Sequence, residues 1–200
     1  MVTRRHAVLL APAFVLAAGL AAAGAWMALR PERGGLPAVP IGGPFELVDG
    51  DGRTVADRQV RGRWMLVYFG YTHCPDACPT ALQDMANAVD LLGDQKREVA
   101  LLFITVDPER DTPAVMKDYV SPFETPITAL SGSADAVARA ARAYRVYYAK
   151  HPTRDGGYDM DHSSIIYLMD KQGRFAANFT HETPPERIAA KLKGLMQGRS

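Results

Sequence analysis

A continuous apolar run, Trp64 to Phe69, stands just before the two cysteines of the chain, Cys74 and Cys78, and constrains the fold more than any other feature. A run of strand length without polar alternation predicts a strand that is covered on both faces. After the cysteines, apolar residues recur at helical spacing from Ala81 to Leu92, and a glycine closes the segment. The sequence therefore predicts a buried strand, a short loop that carries both thiols, and a helix.

The rest of the chain alternates in the same way. Val99 to Val106 is a second buried strand, and further helices and strands are predicted in the order helix 114–120, strand 128–130, helix 135–144, strands 164–169 and 174–179, and helix 185–196. Lys150 to Asp161 is polar and glycine-rich, which predicts a surface loop. This order indicates an α/β fold, a central mixed sheet flanked by helices. Ligands bind such sheets at the carboxyl ends of strands, which is where Cys74 lies.

The N-terminal part has a different composition. Ala7 to Leu29 contains no charged residue and is long enough to span the roughly 30 Å hydrocarbon layer as a helix. Arg4 and Arg5 precede it, which predicts a single-pass anchor in a bacterial-type inner membrane with the domain in the periplasm or another extracytoplasmic space. A cleavable signal peptide is the alternative, although its apolar core is usually shorter. We therefore expect an anchor over residues 1–29, a linker rich in Pro and Gly over 30–43, and one domain over 44–197.

Charge and cysteine content exclude some classes of protein and function. Lys and Arg number 23 against 22 Asp and Glu, and no basic cluster stands out, so nucleic acid is not an expected partner. Two cysteines in a single motif do not form the framework of a disulfide-stapled domain. They are instead typical of metal binding or redox chemistry.

The spacing of the thiols leaves both chemistries open. If the segment from Cys74 onward is helical, Cys74 and Cys78 share one face near the helix N-terminus. The positive end of the helix dipole then lowers the thiol pKa, which favours metal ligation and disulfide exchange alike. The extra residue relative to a Cys-x-x-Cys motif changes the geometry of a disulfide without excluding one.

A histidine close to the two thiols would favour metal binding over disulfide exchange. Four of the five histidines lie in the tail, beside a cysteine or in polar turns that we expect to be exposed: His6, His73, His151 and His181. His162 stands at the junction between a long loop and a strand, although on this position alone a hydrogen-bonded surface or core histidine is the more common role. Two thiolates with one imidazole suit Cu(I), whereas zinc usually takes a fourth ligand.

Three segments, YTHCPDACPTAL, ITVDPERDTP and DMDHSSIIYLMD, resemble in order and spacing the signature segments of the Sco/SenC proteins, over about Gly42 to Met196. The resemblance implies a thioredoxin-like fold that binds one copper ion, as Cu(I) or Cu(II), through Cys74, Cys78 and His162. It also implies a copper chaperone, not an enzyme, that receives copper from an upstream donor and assembles the CuA centre of cytochrome c oxidase subunit II. A thiol-disulfide reductase that uses Cys74 and Cys78 as its redox pair is the alternative.

The second segment is expected to be structural. Its acidic and basic residues suggest a capped turn, with Asp111 or Thr112 as the helix N-cap and Arg110 paired with nearby acids at the surface. Met160 is either a weak thioether ligand near His162 or, as is more usual, a packing residue.

Overall fold

The computed structural model describes residues 40–154 and 156–198. Within this range the strands are β1 (Glu46–Asp49), β2 (Thr54–Ala56), β3 (Trp64–Gly70), β4 (Val99–Thr105), β5 (Ile127–Ser131), β6 (Tyr148–Pro152), β7 (Tyr158–His162), β8 (Ile165–Met169) and β9 (Phe175–Thr180). The α-helices of the same range are α1 (Asp57–Val60), α2 (Ala77–Asp90), α3 (Pro113–Val120), α4 (Ala134–Ala143) and α5 (Pro185–Met196), and a 3₁₀ helix covers Gly93–Glu98.

Seven strands form one mixed sheet in the order β2-β1-β5-β4-β3-β8-β9. The central strands β3, β4 and β5 are parallel, and antiparallel strands β1 and β8 flank them. Every residue of β4 is buried, which is the environment that its unbroken apolar sequence predicts. The expected α/β fold with a central mixed sheet is confirmed.

Aromatic contacts show which helix covers which face. Tyr68 of β3 stacks on Phe103 of β4, which in turn packs against Tyr119 of α3. The next residue, Phe69, contacts Tyr144 at the end of α4 with ring centroids 5.2 Å apart. Because successive strand residues point to opposite faces, α3 and α4 cover opposite faces of the sheet.

The segment predicted as a surface loop, Lys150 to Asp161, is mostly a two-stranded ribbon, so that prediction was wrong. Strands β6 and β7 pair antiparallel, with Tyr148 opposite His162, and they form a sheet of their own. Only one side of β7 faces the domain, where Met160 is 7% exposed, while Asp159 and Asp161 are exposed. A strand with one solvated side has a largely polar sequence, which is why its composition resembled a loop.

The predicted membrane anchor, residues 1–29, and most of the predicted linker lie outside the described residues. Between Pro40 and Gly198, in the part that is described, no helix combines the length and the apolar character needed to cross a membrane.

Candidate metal centre

Both cysteines lie beyond the carboxyl end of β3, but the chain is not helical from Cys74 onward, which was the condition for a shared helical face. The helix α2 begins at Ala77, so Cys78 is in its first turn and Cys74 is in the loop before it. The loop folds back over the helix N-terminus, and the backbone N–H of Cys78 donates to the Cys74 sulfur at 3.4 Å. The Cys74 sulfur thus takes the position of an anion at a helix N-terminus.

His162 completes the cluster from the last position of β7. Its Nε2 lies 3.6 Å from the Cys78 sulfur, and its Nδ1 lies 3.3 Å from the carbonyl oxygen of Ser163. Because a carbonyl only accepts, Nδ1 carries the hydrogen and the Nε2 lone pair faces the thiols. The three donor atoms lie within 4.8 Å of one another, close to the spacing expected when each binds one ion at roughly 2.0–2.3 Å.

Two tyrosines fix the imidazole between them. The rings of Tyr68 and Tyr71 meet His162 nearly at right angles, with centroids 6.0 and 5.8 Å away. Tyr68 is fully buried and Tyr71 is 6% exposed, so neither ring can turn aside easily. Edge-to-face contacts of this kind restrict the orientation of the histidine ring.

The two thiols have opposite electrostatic environments. A hydrogen bond from the Cys78 thiol lowers the pKa of Cys74 to about 4 against the opposing effect of burial, and backbone N–H groups lower it further. The neighbouring Cys74 sulfur and complete burial both raise the pKa of Cys78. The reduced, metal-free pair therefore holds one thiolate, at the half-buried Cys74, and one thiol, at Cys78.

Gly70 provides the space for the Cys78 sulfur. A Cβ atom at this position would lie 2.7 Å from that sulfur, 3.0 Å from Phe103 and 3.1 Å from Tyr68. All three neighbours are fully buried. The strand therefore ends in a glycine because the thiol passes directly over its backbone.

The second signature segment forms a turn that holds the cysteine loop. Asp111 is fully buried, and its carboxylate accepts hydrogen bonds from the Thr72 N–H (3.0 Å), the Thr72 hydroxyl (2.6 Å) and the Thr105 hydroxyl (2.6 Å). Asp111 is thus not a helix cap. Thr112 is the N-cap of α3, and its hydroxyl accepts from the Val115 N–H at 3.4 Å.

The same turn also holds the β6–β7 ribbon. The ion pair of Arg110 in this turn was predicted to lie at the surface, but its acidic partner is buried. Arg110 pairs with Asp107, which is 2% exposed. The Tyr158 hydroxyl donates to the other carboxylate oxygen of Asp107 at 2.9 Å, and Arg110 donates to the Tyr158 carbonyl at 2.9 Å. Sequence reasoning missed Tyr158, because the contact joins residues that are about fifty positions apart and no local pattern marks it.

The remaining candidates lie apart from the cluster. His73 is exposed, with Nδ1 3.2 Å from the Thr72 hydroxyl, and exposed His151 pairs with Asp161 at 2.9 Å. His181 is half-buried, where an exposed side chain was predicted. Met160 packs in the hydrophobic core. Across residues 40–154 and 156–198, Cys74, Cys78 and His162 are the one group of three or more Cys, His, Asp or Glu residues arranged to hold a metal ion.

The fold and the cluster define a class of protein, a thioredoxin-like α/β domain with two cysteines and one histidine grouped at the carboxyl end of a central strand. The profile of the SCO1/SenC family matches residues 34–197. The chain belongs to this family, as its three signature segments suggested.

Similar proteins span most of the chain. The SCO2-like protein RP587 of Rickettsia prowazekii is 41% identical over 157 residues, which cover 78% of this chain and 77% of that protein. The mitochondrial SCO2 homologue of Bos taurus is 40% identical over 188 residues, with coverages of 88% and 71%. The structure of Bradyrhizobium japonicum ScoI with copper bound is 48% identical, has a TM-score of 0.71, and is matched over 76% of this chain and 98% of its own.

Proposed function

We propose that this protein binds one copper ion through Cys74, Cys78 and His162 and delivers it during assembly of cytochrome c oxidase, to the CuA site of subunit II. The convergence of two sulfurs and one imidazole nitrogen within 4.8 Å carries the proposal. The copper bound to the similar Bradyrhizobium ScoI supports the choice of metal.

The donor set favours copper over zinc. Two thiolates and an imidazole form a soft site that suits Cu(I). A structural zinc site needs a fourth ligand, and in the described part of the chain no further Cys, His, Asp or Glu joins this cluster. Copper is the cargo of such a site and must also leave it. The half-buried Cys74 offers an edge at which a thiol of the target can replace it as ligand.

Loading requires the reduced cysteines. A Cys74–Cys78 disulfide removes both thiolate ligands, so the oxidised chain must be reduced before it can take up copper. Because Cys78 is the protonated partner of the pair, copper binding releases its proton. The periplasm that the sequence predicts is oxidising, so the proposed function also needs a source of reducing equivalents there.

Anaerobic titration of the reduced full chain with Cu(I) tests the metal site. We expect one Cu(I) per chain, and a strong loss of affinity, measured by competition with a chelator, when Cys74, Cys78 or His162 is replaced by Ala. His151→Ala is the matched control, because this exposed histidine lies outside the cluster and its variant should bind as the wild type does. Unchanged affinity in the His162 variant would exclude the three-ligand site.

The cellular setting is proposed from the sequence. The charge-free run within residues 1–29 supports a membrane tether, and residues 30–43 would hold the 44–197 domain away from the bilayer. Membrane fractionation and the mass of the mature chain distinguish a retained anchor from a cleaved signal. Incubation of the loaded chain with the soluble CuA domain of subunit II then tests delivery, with copper transfer to that domain as the expected result.

Thiol-disulfide reduction of a partner protein is the second candidate. The lowered pKa and partial exposure of Cys74 favour it, since both properties suit an attacking thiolate. Attack by Cys74 on a partner disulfide would give a mixed disulfide, which Cys78 would resolve as the Cys74–Cys78 disulfide forms and the partner leaves as a dithiol. Turnover with a copper chelator present, retained in His162→Ala, would support this role, because the exchange does not use the imidazole.

A further inference from the structure

The position of His162 depends on the attachment of a ribbon that is separate from the main sheet. Strands β6 and β7 pair with each other, and neither belongs to the seven-stranded sheet. The two cysteines, by contrast, are fixed by the end of β3 and the start of α2. The third donor of the cluster is therefore held in place by the contacts that join this ribbon to the domain.

Tyr158, the first residue of β7, concentrates those contacts. Its hydroxyl donates to Asp107 at 2.9 Å, its carbonyl accepts from Arg110 at 2.9 Å, and the Arg110 guanidinium lies 3.8 Å from the centre of its ring. Asp107 lies two residues beyond the end of β4, and its N–H donates to the Thr105 hydroxyl at 2.9 Å. A single residue of the ribbon is thus joined to the end of a central strand by three different interactions.

The contact extends from Tyr158 to His162. The two residues lie at opposite ends of a five-residue strand and, because strand side chains alternate, on the same face. Arg110 also lies 5.8 Å from the ring of Tyr71, which meets the His162 ring edge-on. A change in the attachment of Tyr158 therefore reaches His162 both along the strand and through Tyr71.

We infer that Tyr158, held by Asp107 and Arg110, is a positioning residue that sets the imidazole of His162 against the thiols. The inference rests on the proposed copper function. The turn serves the two halves of the site separately, since Asp111 holds the cysteine loop through Thr72. Loss of the Tyr158 attachment should therefore weaken the imidazole ligand and leave the thiolates as they are.

The test is Tyr158→Phe, which removes the hydroxyl and keeps the ring under Arg110. Loss of a hydrogen bond to a charged group changes an equilibrium constant by a factor on the order of ten, so we expect the affinity for Cu(I) to fall about 10-fold. In a His162→Ala background the same substitution should change nothing, since there is no imidazole left to position. Arg110→Lys, which keeps the charge beside Asp107, should show the same dependence on His162.

Two control variants separate positioning from a general effect. Tyr147→Phe removes a hydroxyl from a 62% exposed tyrosine beside the ribbon and should leave Cu(I) affinity unchanged. Thr72→Val disturbs the cysteine loop, so its effect should persist in the His162→Ala background. Equal losses for Tyr158→Phe with and without His162, or no loss at all, would overturn the inference.

A metal-free measurement distinguishes this inference from the function on which it rests. In the reduced apo chain, nuclear Overhauser contacts between the His162 and Tyr71 rings should weaken in Tyr158→Phe and persist in Tyr147→Phe. Failure of the wild-type chain to bind Cu(I) would refute the proposed function alone. Unchanged ring contacts in Tyr158→Phe would refute the positioning role alone.

Discussion

Gly70→Ala is the most direct test of the site geometry. The new Cβ would lie 2.7 Å from the Cys78 sulfur, whereas ordinary contacts begin near 3.4 Å, so the sulfur or the strand must move by about 0.7 Å. Phe103 and Tyr68 close the other sides at 3.0 and 3.1 Å, and all three neighbours are fully buried. The movement therefore cannot be absorbed by a flexible side chain.

The expected effects follow from this distance. Overpacking of a rigid core costs about 1–3 kcal/mol, which urea denaturation of the reduced apo chain should detect. Metal sites tolerate deviations of roughly 0.2 Å in ligand position, so displacement of the Cys78 sulfur should also lower Cu(I) affinity well beyond any loss of stability. Competition with a Cu(I) chelator measures that second effect.

Gly132→Ala provides the control. Gly132 follows β5 directly, as Gly70 ends β3, and its added Cβ would first meet the end of the Leu47 side chain at 3.3 Å. We expect a change in stability within about 1 kcal/mol and unchanged Cu(I) affinity. Wild-type affinity in Gly70→Ala would refute the argument that this glycine is there to accommodate the thiol.

Two further predictions concern the thiol pair and the turn. At pH 5.5 iodoacetamide should alkylate Cys74 and spare Cys78 in the reduced apo chain, because the pKa of Cys74 is about 4 and that of buried Cys78 is raised. Peptide mass mapping identifies the alkylated cysteine. In the control, the urea-unfolded chain should react at neither cysteine. Since folding lowers the pKa of Cys74 from 9.0, the stability that its thiolate contributes is complete above pH 9 and is lost as the pH falls through about 4, so the difference in unfolding free energy between the wild type and Cys74→Ser should shrink over that window. Asp111→Asn should lower the unfolding free energy by about 3 kcal/mol in urea denaturation, because it replaces a buried carboxylate that accepts three hydrogen bonds by an amide that also carries a donor. Asp118→Asn, at an exposed position, is the control and should have almost no effect. Equal stability of the Asp111→Asn variant and the wild type would contradict the role of Asp111.

The local sequence pattern determined much of the secondary structure of this protein. The two apolar runs predicted strands β3 and β4, and the helical spacing after the cysteines predicted the helix α2 that follows them. These predictions succeed because the periodicity of apolar residues reflects which faces of an element are buried. The position of Cys74 beyond a central strand follows from the same reasoning. The junction between a long loop and a strand distinguished His162 from the other four histidines, but only the resemblance of its segment to a family motif favoured it as a ligand.

Tertiary structure decided how these parts meet. His162 is 84 positions from Cys78, and it comes within 3.6 Å only because a separate ribbon carries it there. That ribbon resembled a loop in sequence, because one of its sides is solvated. Asp111 resembled a helix cap, yet it is buried beneath the cysteine loop. Cys74 lies in the loop and Cys78 in the first turn of the helix, and only the folded loop brings the two thiols together. Each of these features depends on contacts between distant residues, and the local periodicity of a sequence does not specify them.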